Sequence, residues 1–165
     1  MRGLVVTWIE RLLGAVTIAI LLSLALVVVL AIVFRYAGSS LVWYDEVASV
    51  QLAWLTYYGA AFAALKRAHL GFSGLVEALP AGARGALFWL AEALVATFFV
   101  AMTWAGWRVL DVMRGETLVS LEWVPLTVTQ SVVPIGCALF VLAQLLSAPD
   151  AWRRMAADDG EEASA

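Results

Sequence analysis

Few side chains in this 165-residue chain can do chemistry, and their types and spacing exclude most of it. His69 is the lone histidine and Cys137 the lone cysteine. One imidazole cannot supply the paired axial ligands of a membrane haem, and one thiol inside an apolar run offers neither a disulfide nor a metal cluster. There is no glycine-rich phosphate loop, and no Ser-His-Asp set can be assembled around a histidine that closely follows Lys66 and Arg67. The expectation is therefore a protein that is not an enzyme, with no catalytic residue, no cofactor and no metal. What remains are charges in unusual places: Glu92 within an otherwise uncharged stretch, and Arg35, Asp45 and Glu46, the acids ten and eleven residues after the arginine.

An acid at membrane depth is a candidate for ion coupling, because leaving it unpaired there is costly. Glu92 stands about two helical turns past Arg84, near the start of its apolar segment. The preferred reading is structural: Glu92 reaches the interface or pairs with Lys66, Arg67 or Arg84, with ion coupling as the alternative. The run Trp43-Tyr44-Asp45-Glu46 has a different logic. Aromatic rings with a polar edge favour the headgroup level, and carboxylates in a first helical turn meet the positive end of the helix dipole. Arg35 faces them across a short connection, to snorkel to headgroups or to pair with them.

The elements that must position these groups are membrane helices. With 64% hydrophobic residues, eight Trp and 14% charged residues, the chain has too little polar surface for a soluble domain. Uncharged or nearly uncharged stretches at 12–34, 47–65, 86–107 and 124–148 predict an all-α integral membrane protein with four transmembrane helices in a single domain. Leu70, Phe72, Leu75, Val76 and Leu79 repeat at helical spacing before Pro80 and predict a short interfacial helix over about 70–80, between helices two and three. Pro134 is expected to kink the last span by removing the bond to the Gln130 carbonyl. Residues 149–165 form an acidic tail, whose five acids and two arginines account for the net charge of −3 and leave no basic face for nucleic acid. Seven of the ten Lys and Arg residues lie at the termini and in the second connection, which predicts a multi-pass protein of the plasma membrane with both termini cytoplasmic.

The second span is the most patterned. Asp45, Ser49, Leu52, Thr56, Gly59 and Ala63 fall on one narrow face, with Trp54, Tyr57 and Tyr58 roughly opposite. Small and weakly polar residues let membrane helices approach closely. The expectation is a contact inside this chain's own bundle; a seam for another subunit is the alternative.

These residues carry a family resemblance. Arg35-Tyr36, Trp43, Asp45-Glu46, Trp54, Gly59, His69, Leu79-Pro80, Trp123 and Pro134-Ile135-Gly136 occur in the order and spacing found in the small membrane subunit, or Q subunit, of tripartite ATP-independent periplasmic (TRAP) transporters. The chain resembles that family from about residue 12 to 148, with Asp45 where the family commonly has Glu. The resemblance implies an accessory role in the bacterial inner membrane. A periplasmic substrate-binding protein captures an organic acid, a large multi-span M subunit moves it with a cation gradient, usually sodium, and the Q subunit packs against the M subunit's scaffold. On this reading Arg35, Trp43, Asp45, Glu46, Ser49, Trp54, Thr56, Gly59 and His69 are candidates for the subunit or binding-protein interface. Two rivals are an autonomous four-helix proton-coupled transporter using Glu92 and the membrane anchor subunit of a respiratory enzyme.

Overall fold

The computed structural model describes the backbone of residues 2–66 and 81–162, with side chains from 6–66 and 83–153. Five α-helices occupy these residues: α1 (Arg2–Tyr36), α2 (Tyr44–Leu65), α3 (Ala81–Val112), α4 (Leu126–Gln130) and α5 (Val132–Glu162). There is no strand among them, only an isolated bridge between Thr117 and Pro125. The all-α class expected from composition is the class observed. Three stretches are long and apolar enough to cross a membrane: Val6–Tyr36, Ala83–Val112 and Leu126–Arg153. The interfacial helix expected over 70–80 and His69 lie outside the described residues.

The helices run past the uncharged cores that announce them, because Arg, Glu and Lys are good helix formers and the backbone bonds continue into the interface. The last span is interrupted at Ser131, just ahead of its proline. α4 ends at Gln130, Ser131 donates its N–H to Val128 at 3.4 Å, and α5 restarts at Val132. Pro134 thus falls in the first turn of α5, where its missing N–H breaks no intrahelical bond. α5 also continues through Pro149 to Glu162, so the first part of the acidic tail is helical.

Packing runs in the order α1, α2, α5, α3, with α2 and α5 at the centre. Lipid is as apolar as leucine, so helix association here has to come from close approach and buried polar contacts rather than from hiding apolar surface. Close approach is visible where α2 meets α5: a Cβ on Gly136 would lie 2.5 Å from Tyr57 Cβ. Where α3 meets α5, a Cβ on Gly106 would lie 3.0 Å from Pro134 Cδ and 3.2 Å from its nitrogen. Deeper along the same contact, Phe99 and Phe140 stack with centroids 3.9 Å apart. A buried cluster of Leu13, Ala61, Ala64, Leu65, Phe140 and Ala143 joins α1, α2 and α5.

The polar contacts lie between the same neighbours. Gln51 Nε2 donates to Ser23 Oγ at 2.7 Å, linking α2 to α1. The Trp54 indole donates to the carbonyl of buried Thr129 at 2.9 Å, tying α2 to α4. Ser147 Oγ donates to the Ala64 carbonyl at 3.3 Å, tying α5 to α2.

This arrangement corrects one expectation. Asp45, Ser49, Leu52 and Thr56 are exposed, and the aromatic side of α2 is the one turned into the molecule. Trp54 finds a carbonyl and Tyr57 finds the bare backbone of Gly136, so the bulky face packs better internally than the small one. Of the stripe, only its far end turns inward: a Cβ on Gly59 would come 4.0 Å from Thr17 of α1.

Candidate interaction surfaces

The first surface is built at the end of the molecule where α1 stops and α2 starts. Residues 113–126 fold back on themselves: Glu116 N–H donates to Met113 at 3.2 Å, Leu118 N–H to Val124 at 3.1 Å and Leu126 N–H to Glu116 at 2.9 Å. Gly115 makes the first bend at φ +92°, a conformation that costs a residue with a Cβ. The tip of this hairpin is held from another helix. Glu46, in the first turn of α2, accepts the Val119 N–H at 2.9 Å on Oε1 and the Ser120 N–H at 2.7 Å on Oε2. The hydrogen bond from the Ser120 backbone is the main cause that holds its carboxyl below the ordinary glutamate value. The clamp leaves Val119 and Trp123 on the surface, 87% and 80% exposed.

The other members of the charged cluster do something else. Trp43 is the N-cap residue of α2 and makes no side-chain cap bond. Asp45 is exposed and Arg35, also exposed, ends α1 on the side of the helix dipole that favours a cation. Neither makes an ion pair with the other or with Glu46 among the described residues. Glu46 thus does not cap its own helix; it crosses to the hairpin.

The second surface is the outward face of α2. Ser49 Oγ donates to the Asp45 carbonyl at 2.8 Å and Thr56 Oγ1 to the Leu52 carbonyl at 2.8 Å, both exposed. Each hydroxyl proton is therefore used within the helix, so the face meets apolar neighbours without an unsatisfied donor. Small side chains with satisfied hydroxyls make a flat strip about 16 Å long from Asp45 to Thr56 at the usual helical rise.

The third place is polar and central. Gln144 of α5 donates from Nε2 to Glu92 Oε2 at 2.7 Å and to the Glu92 carbonyl at 3.2 Å. Both line a groove of about 420 Å³ between α2 and α3, floored by Phe140 and sided by Ala60, Ala64 and Ala91. Lys66, a partner proposed for Glu92 on sequence grounds, instead meets Glu10 of α1 at 2.9 Å. Sequence reasoning missed Gln144, although an amide inside an apolar span is itself a signal that an acid or carbonyl lies opposite.

A family model for the DctQ component of tripartite ATP-independent periplasmic transporters matches residues 24–154. The chain belongs to this family. No curated protein sequence matches it. DctQ is a family of small membrane components of transporters and not of enzymes. The match opens inside α1 and closes inside α5, so the Glu46 clamp, the outward face of α2 and the Glu92–Gln144 pair all lie within the DctQ region. Among the described residues no group of His, Cys, Asp and Glu is arranged to hold a metal ion.

Proposed function

We propose that this DctQ component is the accessory membrane subunit of a cation-coupled organic-acid transporter, with sodium as the coupling ion. It packs its outward α2 face against the scaffold of the large membrane subunit and stabilises it. In this reading α2 is the fourth membrane crossing: its uncharged part, 47–65, gives about 28 Å of helix, close to the thickness of the hydrocarbon core. Its lower apolarity suits a helix flanked by α1 and α5 and covered on its outward side by a partner. Both termini face the cytoplasm, so the hairpin held by Glu46 faces the periplasm. There it forms part of the surface that receives the substrate-binding protein, with Trp43, Asp45 and Arg35 around it. Charges at such a rim act mainly on encounter rate, and their effect fades with salt.

The observation that carries this reading is the exposure of Asp45, Ser49, Leu52 and Thr56 on a helix whose bulky face is already used inside the chain. Glu92 is a structural group in this account, bonded to Gln144 across the α3–α5 contact. The test is reconstitution. Vesicles holding this chain alone should not accumulate an organic acid, and those holding it with the large membrane subunit should do so only after the binding protein is added. Sodium- or proton-driven accumulation by the chain alone would overturn the accessory role.

A further inference from the structure

A second groove opens on α3, toward the end that carries the hairpin. It has a volume of about 490 Å³ and lies between Val100, Trp104 and Trp107 of α3 and Ala138 and Val141 of α5. The α3 residues recur at helical spacing and form one continuous wall. Ala138, exposed and small, leaves the floor open. The groove is held in shape by the contact of Gly106 with Pro134 and the stacking of Phe99 on Phe140. Its lining makes no unmet polar demand, since Thr103 Oγ1 donates to the Phe99 carbonyl at 2.8 Å.

One charge stands at its mouth. The Arg108 guanidinium lies over the Trp104 ring, with Cζ 5.7 Å from the centroid, and lines the groove. Arg108 forms no ion pair among the described residues, and the acid one turn on, Asp111, is taken by Arg114 at 2.7 Å. Trp104 and Trp107 are 67% and 61% exposed, as aromatic rings at headgroup level are. From Arg108 back to Val100 the helix rises about 12 Å, close to the roughly 15 Å of one leaflet's hydrocarbon.

We propose that this groove is a binding site for one glycerophospholipid, with an acyl chain along Val100, Ala138 and Val141 and the phosphate on Arg108. A guanidinium presents a fork of donors matched to phosphate oxygens, and at a partly dry site such a bond is strong. The apolar wall and the cation are recognised together by a molecule that joins a hydrocarbon chain to an anionic headgroup, and in a bilayer the abundant one is a glycerophospholipid with its phosphate. This site does not depend on the accessory role above, and its test reads lipid retention rather than uptake.

The experiment is a titration of the detergent-purified full chain with phosphatidylglycerol, followed by native mass spectrometry, beside a diacylglycerol of the same chains and inorganic phosphate. The wild type should hold one phosphatidylglycerol per chain saturably, and neither diacylglycerol nor phosphate should replace it. Arg108→Gln should weaken retention roughly tenfold, the size expected for losing a hydrogen bond to a charged group. Arg108→Lys should keep part of it. Ala138→Phe, or Ala138→Leu if the first does not fold, should abolish it by filling the floor while Arg108 stays in place. Equal retention by wild type and Arg108→Gln, by wild type and the Ala138 variants, or of diacylglycerol and phosphatidylglycerol would each overturn the site. So would unsaturable binding, which is ordinary annular lipid.

Discussion

Glu46 accepts two amide protons on two oxygens, and that stoichiometry decides what a neutral replacement does. A glutamine at this position would keep one acceptor oxygen and turn an NH2 donor toward the second amide, so Glu46→Gln releases one of the two bonds and leaves two donors opposed. Asp45 beside it is exposed and makes no such bond, so Asp45→Asn should leave the hairpin as it is. Amide chemical shifts of Val119 and Ser120 separate the two: both move in Glu46→Gln and stay in Asp45→Asn. The same signals give the pH dependence. Because hydrogen bonding lowers the folded carboxyl below the ordinary 4.5, the clamp's contribution is fully present above that value and is lost only as pH falls through the lower folded one. The amides should therefore hold their positions from neutral pH down past 4.5 and shift below it. A midpoint at or above that value would mean that the carboxylate is not held by these bonds.

At the scale of the helices, the central contact is α2 on α5, and its tightest point is Tyr57 against Gly136. Gly136→Ala would put a Cβ 2.5 Å from Tyr57 Cβ, an atom fixed to the α2 backbone, so the helices must separate. Overpacking of this kind costs about 1–3 kcal/mol, and chemical denaturation in mixed micelles should show a loss of that size. No loss would mean that the two helices are not in register here. The all-α class and the three long apolar helices were legible in the sequence, since long uncharged stretches have few other solutions. Pro134 was legible as a disturbance of the last span, but the expected kink in one continuous helix is instead a break at Ser131 with the proline in the first turn of α5. Which face of α2 turns inward was not legible. In a membrane the period of polarity does not mark the inside, and the inward choice depends on partners far along the chain. Trp54 meets Thr129, 75 residues away, and Glu92 meets Gln144, 52 away. The Glu46 clamp escaped for a related reason: an acid in a first helical turn reads as a cap, and only the folded hairpin supplies better donors.

Among the described residues the long helices pack in a row, α1, α2, α5, α3, and the surface follows from that order. α1 touches its neighbours mainly through α2, so most of its Leu, Val and Ile side chains face outward, as lipid permits. The strip from Asp45 to Thr56 differs from those surfaces. It is narrow, its hydroxyls are satisfied within the helix, and it lies beside the hairpin end that Glu46 organises. Lipid tails have no use for small side chains, whereas a helix of a partner subunit gains close van der Waals contact from them. Ser49→Phe and Thr56→Phe add bulk at two exposed positions, so each variant should insert and fold alone with wild-type helix content and thermal stability. In cells making the whole transporter, the same variants should lose most of the large membrane subunit on affinity purification, and uptake should fall with the recovered complex. Leu142→Phe, at an exposed site on α5, is the matched control and should leave the complex intact. If the two α2 variants pulled down as much partner as wild type, the outward face of α2 would be lipid-facing and the seam between subunits would have to lie on another helix.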